Sequence, residues 1–213
     1  MSRKPSVAVA EAEPVTKSQA AYHHGDLRAA LIAAAREALE TSRPEDITLK
    51  SLAVRLGVSQ PAPYRHFANR EALLAAVAAD GFVRFREAME AAQAAAEGHG
   101  RFLAAALAYL EFGRTNRGVY RLMFASQLVP TADDAPLHDA SRASFELLVA
   151  GVAESAPPER VQAIAVWIWS TLHGLVMLEA DGLLEGPGDR PVGAAEVVSQ
   201  MIATFAALGA DGR

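Results

Sequence analysis

The 213-residue sequence contains no cysteine, which excludes disulfide bonds, thiolate nucleophiles and zinc held by cysteine. It also has no Glu-x-x-His pair, no glycine-rich phosphate loop and no nucleophile motif. Helical bundles that bind metals use such Glu and His pairs, and phosphate-handling enzymes use such loops. The sequence therefore predicts no enzyme activity, no metal site and no cofactor, and the lack of cysteine fits a reducing cytoplasm.

A long apolar run is nearly absent as well. The longest uncharged stretch, residues 161–178, has eighteen residues, the lower limit for a membrane-spanning helix. Ser170, Thr171, His173 and Gly174 interrupt it, which favours a helix buried in protein. Residues 1–20 combine prolines, small residues and mixed charge, a composition typical of a disordered arm. We therefore expect a cytoplasmic protein with no membrane partner.

Positive charge is scarce overall, since the net charge is −5. The two parts of the chain differ, however. Residues 1–75 hold ten basic and eight acidic residues, and residues 76–213 hold ten and seventeen. The first part is therefore net +2 and the second −7, an asymmetry that permits a local basic face near the N-terminus.

Apolar residues recur at helical spacing, and strand signals are nearly absent, so the predicted fold class is all-α. The first helix begins at Asp26 and ends before Pro44. Thr48 is a good N-cap for a two-turn helix that Gly57 ends. Ser59 then begins a short third helix, residues 60–66, and Asn69 begins a long fourth helix that reaches Ala95. Further helices are predicted over residues 101–115, 118–128, 137–154, 158–184 and 192–208, with loops at residues 130–136 and 186–189.

The turn Gly57-Val58-Ser59 between two short helices is the central observation. A helix-turn-helix needs a small residue where its helices approach, a residue that tolerates positive φ, and apolar anchors on both sides. Ala53 and Gly57 meet the first two needs, and the anchors are Leu52, Leu56, Val58 and Phe67. An ordinary helical hairpin is the alternative that spacing alone leaves open.

The run TLKSLAVRLGVSQPAPYRHFANREALL, residues 48–74, resembles the signature of the tetracycline-repressor-like (TetR) family. Its specific parts are Gly57-Val58-Ser59, Tyr64-Arg65-His66-Phe67 and Asn69-Arg70-Glu71-Ala72-Leu73, and the resemblance covers residues 22–75. A weaker likeness, over residues 169–174, is to family ligand domains that contain Trp, His and Gly.

The resemblance implies three parts: a disordered N-terminal arm (1–20), a three-helix helix-turn-helix domain that binds DNA (21–68), and a larger helical domain for ligand binding and dimerisation (69–213). It also implies a homodimeric repressor that binds double-stranded, palindromic operator DNA and is released by a small-molecule inducer. Two other functions stay open from the residues alone, a protein-interaction module that has lost DNA binding and a helical enzyme.

The predicted DNA-binding residues are Thr48, Lys50, Ser59, Gln60, Ala62, Tyr64, Arg65, His66 and Arg70. The resemblance assigns Thr48 and Arg70 to helix starts near phosphate, and residues 60–66 to the helix that enters the major groove. Chemistry agrees, because Gln can pair with adenine, Arg with guanine or phosphate, and hydroxyls and Lys50 with phosphate. The alternatives are that Gln60 is solvated, that Tyr64 belongs to the core, and that His66 packs beside Phe67.

Pro61 and Pro63 depart from the family pattern. Pro61 lies early in the third helix, where its missing N–H has no helical partner anyway. Pro63 lies later, so it removes a hydrogen bond and crowds the Ser59 carbonyl. The family usually has an aliphatic residue there. We therefore expect a short or distorted recognition helix.

Two further sets of residues are predicted in the second domain. The candidate ligand pocket comprises Tyr109, Phe112, Met123, Phe124, Trp167, His173 and Met177, which mix apolar bulk with a few polar groups. The candidate dimer interface comprises Ser170, Gly174, Val197, Met201 and Phe205. The alternative for both sets is ordinary core packing within one subunit.

Overall fold

The structure is a computed structural model that describes residues 27–98, 100–125, 135–184 and 192–210, with side chains as far as Phe205. Within these ranges the chain forms eight α-helices and no strand, which confirms the predicted all-α class. The predicted N-terminal arm, residues 1–20, lies outside the described residues. Residues 21–26 of the predicted DNA-binding domain and the predicted loop at 186–189 also lie outside them, as does most of the loop at 130–136.

The helices follow one another with short connections. Their bounds are α1 Leu27–Leu39, α2 Leu49–Leu56, α3 Arg70–Ala95, α4 Gly100–Thr115, α5 Arg117–Met123, α6 Ala135–Ala153, α7 Val161–Ala180 and α8 Ala194–Ala210. Short 3-10 turns at Pro44–Asp46, Pro63–Arg65 and Pro158–Arg160 each begin with proline.

The predicted caps of α2 and α3 are confirmed. The Thr48 side chain accepts from the Ser51 backbone N–H, and the Ser51 side chain accepts in return from the Thr48 backbone, forming a capping box. Gly57 has φ 66°, the left-handed conformation that ends α2. The Asn69 side chain accepts from the Ala72 N–H at 2.8 Å. Local sequence therefore sets these helix ends.

Helix α5 is shorter than predicted. It ends at Met123 rather than continuing toward residue 128. Phe124 leaves the helix and meets Phe82 of α3 edge to face, with ring centroids 5.4 Å apart. A tertiary aromatic contact follows the helix at this point, and periodicity along the chain carries no information about it.

Helix α3 joins the N-terminal and C-terminal parts of the molecule. Its 26 residues span about 39 Å at 1.5 Å per residue. It contacts α1 at one end and α4, α5 and α6 along its length. The Arg36 guanidinium of α1 donates to Asp80 of α3 at 2.8 Å. Further along, Phe85 packs against Tyr109 and Phe112, with centroids 4.8 and 5.2 Å away.

Helix α7 is apolar on two faces. With the turn before it, the segment Pro158–Ala180 is by length and composition able to cross a membrane, at mean hydropathy 1.6. One face, with Ala165, Ile168 and Leu172, is buried in the core of the subunit. The other face exposes Val166 and Trp167 at 41% and 42%. The apolar composition is therefore divided between an internal face and an open one.

Candidate nucleic-acid interface and ligand cavity

Residues 59–66, the recognition segment, follow the Gly57 turn. Pro63 has no N–H to donate to the Ser59 carbonyl, and the Ala62 N–H donates to that carbonyl instead, at 3.0 Å. The Arg65 N–H then donates to the Ala62 carbonyl at 3.2 Å. Each of these bonds joins residues three apart, which is the 3-10 pattern. The one regular element within residues 59–66 is the 3-10 turn Pro63–Arg65. The expectation of a short recognition helix is confirmed.

Pro63 has a structural role that compensates for the missing hydrogen bond. Its ring is fully buried, and its turn contacts both α1 and α2. An apolar ring can occupy a core position normally taken by an aliphatic side chain, because burial depends on apolar area rather than on the backbone donor. Pro63 therefore anchors the recognition segment, while Tyr64 and Arg65 after it are exposed.

The recognition segment presents polar groups to solvent. Ser59, Gln60, Arg65 and His66 are exposed, and Tyr64 is 56% exposed. The alternative that Tyr64 belongs to the core is therefore wrong. Ala62 is half-buried.

Phe67 closes the unit from inside. It is buried, and the Arg28 guanidinium lies over its ring, 5.3 Å from the centroid. His66 is exposed beside it, so the structure does not favour the alternative that His66 is a packed core residue. The side chains that could meet a groove are thus separated from the one that supports the turn.

The cations near the recognition segment differ in availability. Lys50 and Arg65 are exposed and take part in none of the ion pairs among the described residues. Arg70 is half-buried, and it donates to the Glu71 carboxylate at 3.0 Å and to the Glu45 carbonyl at 3.2 Å. A phosphate contact by Arg70 would have to replace these bonds, whereas Lys50 and Arg65 are available as they stand.

A cavity of about 340 Å³ lies in the C-terminal part, between α3, α4, α6 and α7. That volume is within the range of pockets for small organic molecules. None of the described residues that line it is charged. Seven aromatic residues contribute to the wall, and they are Phe82, Phe85, Phe102, Tyr109, Phe124, Phe145 and Trp169.

Polar groups are few along this cavity. Gln93, Ser141, Ser144 and Gln162 line it, but Ser144 Oγ already donates within the protein, with the Phe82 and Ala140 carbonyl oxygens 3.1 and 3.0 Å away. Gln162 is exposed and Ser141 half-buried, so they mark where the cavity approaches solvent. The interior suits a neutral, mainly apolar molecule.

A chain of two hydrogen bonds, one buried and one part-buried, begins at the cavity wall. Tyr109 Oη and Tyr120 Oη are 2.8 Å apart, and Tyr120 Oη lies 2.8 Å from His173 Nδ1. Burial raises the pKa of both tyrosines well above the usual range and lowers the pKa of His173 below its ordinary value. All three groups are therefore neutral near pH 7, and they connect α4, α5 and α7.

Comparison with known protein families supports this description at both ends of the chain. A sequence profile for bacterial regulatory proteins of the tetR family matches residues 31–77. A profile for the tetracyclin repressor-like C-terminal domain matches residues 102–205. The chain belongs to the TetR family. It is a DNA-binding transcriptional regulator, so its role is regulatory rather than catalytic. A search of curated proteins found no match.

Solved structures agree with the TetR assignment. A protein of unknown function from Rhodococcus sp. RHA1 is 36% identical, with a TM-score of 0.76, covering 89% of this chain and 98% of that one. A tetR-family transcriptional regulator from Streptomyces coelicolor is 21% identical, with a TM-score of 0.64, covering 87% and 82%. A TetR variant from Acinetobacter baumannii AYE in complex with minocycline is 24% identical, with a TM-score of 0.55, covering 84% and 95%. The last two are evidence for the fold.

Only some of the predicted pocket residues of this TetR protein line the cavity. Tyr109 and Phe124 line the cavity. His173 is connected to it through Tyr120, and its ring also packs against Phe124 with centroids 4.7 Å apart.

The remaining four predicted pocket residues are absent from the cavity wall. Phe112 and Met123 are buried in the core, Met177 is half-buried, and Trp167 is 42% exposed. The prediction that Trp167 lines the pocket is wrong, because Trp169 is the tryptophan that lines the cavity. The alternative of plain core packing therefore holds for Phe112 and Met123.

The predicted dimer residues likewise include both exposed and buried positions. Ser170 is exposed, and a Cβ added at Gly174 would meet nothing within 4 Å. Met201 and Phe205, in contrast, are 6% and 5% exposed. The prediction that these two face a partner is corrected, since they pack inside the subunit, where Phe205 lies 5.8 Å from Phe102 between ring centroids. Val197 is half-buried against the same core.

Sequence reasoning missed several cavity residues. Phe82, Phe85 and Met89 of α3 and Ser144 and Phe145 of α6 line the cavity, and none of them is among the predicted pocket residues. An apolar stripe shows that a helix has a buried face. It does not show that opposing helices leave a space there.

Proposed function

We propose that this TetR protein is a repressor that binds a palindromic operator as a homodimer and is released when a small molecule occupies the cavity. The recognition segment carries the DNA-binding part of the proposal. It presents Gln60, Tyr64 and Arg65 outward while Pro63 anchors it from below. This is the arrangement that a helix-turn-helix needs in order to enter a major groove. We expect the protein to act in the cytoplasm, where its operator is.

Among the predicted contacts, we assign Gln60 to a base edge and Arg65 to a phosphate or to guanine. Ser59, Tyr64, Lys50 and Thr48 supply hydroxyl or ammonium groups to the backbone. Ala62 and His66 lie at the groove-facing side, and Arg70 contributes only after releasing Glu71. Two copies of this surface, about 34 Å apart in a dimer, would match one turn of DNA.

Selection of DNA from the organism's own genome tests this proposal. The purified full-length protein is expected to enrich fragments that share one inverted repeat, with two chains bound per site. Affinity for that repeat should fall steeply and linearly on a log–log plot against salt, because bound cations release counterions from DNA. Enrichment of no common sequence, or affinity independent of salt, would contradict a repressor role.

The exposed face of α7 supports the dimeric part of the proposal. Trp167 and Leu178 expose apolar surface there, and Ser170 and Gly174 allow close approach. The Thr171 hydroxyl donates to the Trp167 carbonyl at 3.0 Å, and on α8 the Ser199 hydroxyl donates to the Ala195 carbonyl at 2.8 Å. These hydroxyls already have partners, so a second copy can cover the faces of α7 and α8 without leaving them unsatisfied.

Gly174→Glu is expected to convert the dimer to a monomer. A Cβ at position 174 would meet nothing within 4 Å in the subunit, so helix content should remain, whereas two buried carboxylates at a symmetric interface are strongly unfavourable. Sedimentation should show that the variant has about half the mass of the wild-type dimer, and its operator affinity should also fall. Gly100→Glu, another open helical position, is the matched control and should stay dimeric. If the Gly174→Glu protein stays dimeric, α7 is not part of the dimer interface.

The path from cavity to DNA runs through α3 and α5. Helix α3 carries Phe82 and Phe85 in the cavity wall and begins at Arg70, beside the recognition segment. Helix α5 contacts α1 closely, at Gly118 and Leu39. A ligand that fits one arrangement of these helices better than another shifts the population toward it, by no more than its difference in affinity.

A further inference from the structure

The Tyr109–Tyr120–His173 chain has only a limited number of protons to share. Each tyrosine hydroxyl donates one hydrogen bond, and a neutral histidine carries its single proton on either Nδ1 or Nε2. The two contacts in the chain are each 2.8 Å long, so each needs one proton. The position of the histidine proton therefore decides the direction of donation along the whole chain.

With the proton on Nε2, His173 Nδ1 accepts from Tyr120, and Tyr120 accepts from Tyr109. The Tyr109 hydroxyl proton is then used inside the protein. With the proton on Nδ1, His173 donates to Tyr120, and Tyr120 donates to Tyr109. The Tyr109 proton is then free, and Tyr109 is the member of the chain that lines the cavity.

This choice matters because the described wall of the cavity offers no charged group. A carboxylate or ammonium ligand would be buried without a partner, which is costly. A neutral ligand with one accepting oxygen would instead be satisfied by Tyr109. Trp169, which also interacts with Tyr109, and Phe124 supply aromatic surface around the same end of the cavity.

We propose that the cavity binds neutral, largely apolar molecules with one carbonyl or similar accepting oxygen, and that Tyr109 donates to this oxygen when His173 takes the Nδ1–H tautomer. The proposal rests on the proposed role of the cavity as the ligand site and specifies its chemistry. Atoms and charge balance, because solvent water takes the proton from Nε2 of the half-buried His173 and returns one to Nδ1, and each hydroxyl reverses its donor direction through rotation.

Three probes of similar shape test it by calorimetry with the full-length protein: diphenylmethane, benzophenone and 4-benzoylbenzoate. Wild-type protein is expected to bind the first two. It should bind 4-benzoylbenzoate at least about 30-fold more weakly than benzophenone, since its carboxylate finds no partner. In Tyr109→Phe, benzophenone should lose about 5- to 30-fold in affinity, the usual effect of leaving a buried acceptor unpaired. Diphenylmethane has no oxygen and should change less than about 2-fold.

Two spectroscopic readouts distinguish donation from simple packing. The carbonyl stretch of bound, isotope-labelled benzophenone should shift to lower frequency in wild type and return in Tyr109→Phe. The imidazole ¹⁵N signals of His173, assigned by comparison with His173→Gln, should change on binding from the Nε2–H to the Nδ1–H tautomer. Thr115→Val removes an exposed hydroxyl outside the cavity and is the control, which should bind all probes as wild type does.

The outcomes separate this inference from the function that it rests on. If diphenylmethane and benzophenone bind but the Tyr109 and tautomer effects are absent, the hydrogen-bond assignment is overturned and the ligand site stands. If none of the probes binds, both are overturned. If the Tyr109 and tautomer effects are found but benzophenone leaves operator affinity unchanged, the inference stands and the inducer role of the cavity fails.

Discussion

Arg65→Ala is expected to weaken operator binding by about 30-fold or more. Arg65 is exposed on the recognition segment and takes part in none of the ion pairs among the described residues, so its guanidinium can meet DNA directly. One such contact contributes about 1–3 kcal/mol, and a symmetric dimer makes it twice. Titration of labelled operator with protein at several salt concentrations measures both the affinity and its salt dependence.

The salt dependence distinguishes two roles for Arg65. A phosphate contact lowers affinity equally for all sequences and reduces the salt slope by about one per contact, whereas a guanine contact relaxes preference at one base pair. Gln60→Ala should relax preference at a different position, that of an adenine. Arg101→Ala is the control. It removes the same charge from an exposed residue at the end of the α3–α4 pair that lies away from the recognition segment, and it should bind the operator normally. Wild-type binding by both Arg65→Ala and Gln60→Ala would exclude the recognition segment as the reading surface.

Gly118→Ala is expected to destabilise the protein by about 3 kcal/mol or more, or roughly 6–12 °C in Tm for a chain of this size. A Cβ at position 118 would overlap the Leu39 carbonyl oxygen and lie 2.5 Å from its carbonyl carbon. Those atoms are backbone and cannot rotate away, so α1 and α5 must separate. Overpacking of this kind costs more than the helix propensity that alanine gains. Thermal unfolding followed by circular dichroism measures the change.

Because α1 belongs to the DNA-binding half, the same substitution should also reduce operator affinity in the absence of ligand. Gly100→Ala is the matched control, since its Cβ would meet nothing within 4 Å, and its Tm should stay level or rise slightly. A Gly118→Ala protein as stable as wild type would show that α1 and α5 do not pack this closely in solution. The path proposed between cavity and DNA would then have to run through α3 alone.

Much of the DNA-binding half could be predicted from sequence. Thr48, Gly57 and Asn69 act within one turn of their own helix ends, and the cost of Pro63 depends only on the carbonyl four residues before it. These features depend on neighbours in the chain, so reading the chain was sufficient to find them.

The cavity could be predicted only in part, and the two tryptophans show why. Trp167 and Trp169 are two residues apart, so they point about 200° away from each other on a helix. Helix α7 is apolar on both faces, and periodicity cannot tell which face is inside. Only the packing of α7 against α6 and α4 placed Trp169 in the cavity wall and left Trp167 exposed.

By itself, the sequence determined the all-α class, the helix-turn-helix with its caps and its shortened recognition segment, and the family. The tertiary structure alone decided the rest: that Met201 and Phe205 fill the core rather than an interface, and that Tyr109, Tyr120 and His173 join into one chain. The physical reason is the distance along the chain over which each feature acts. Caps, turns and prolines act over a few residues, whereas a cavity or a buried hydrogen-bond chain exists only where helices distant in sequence meet.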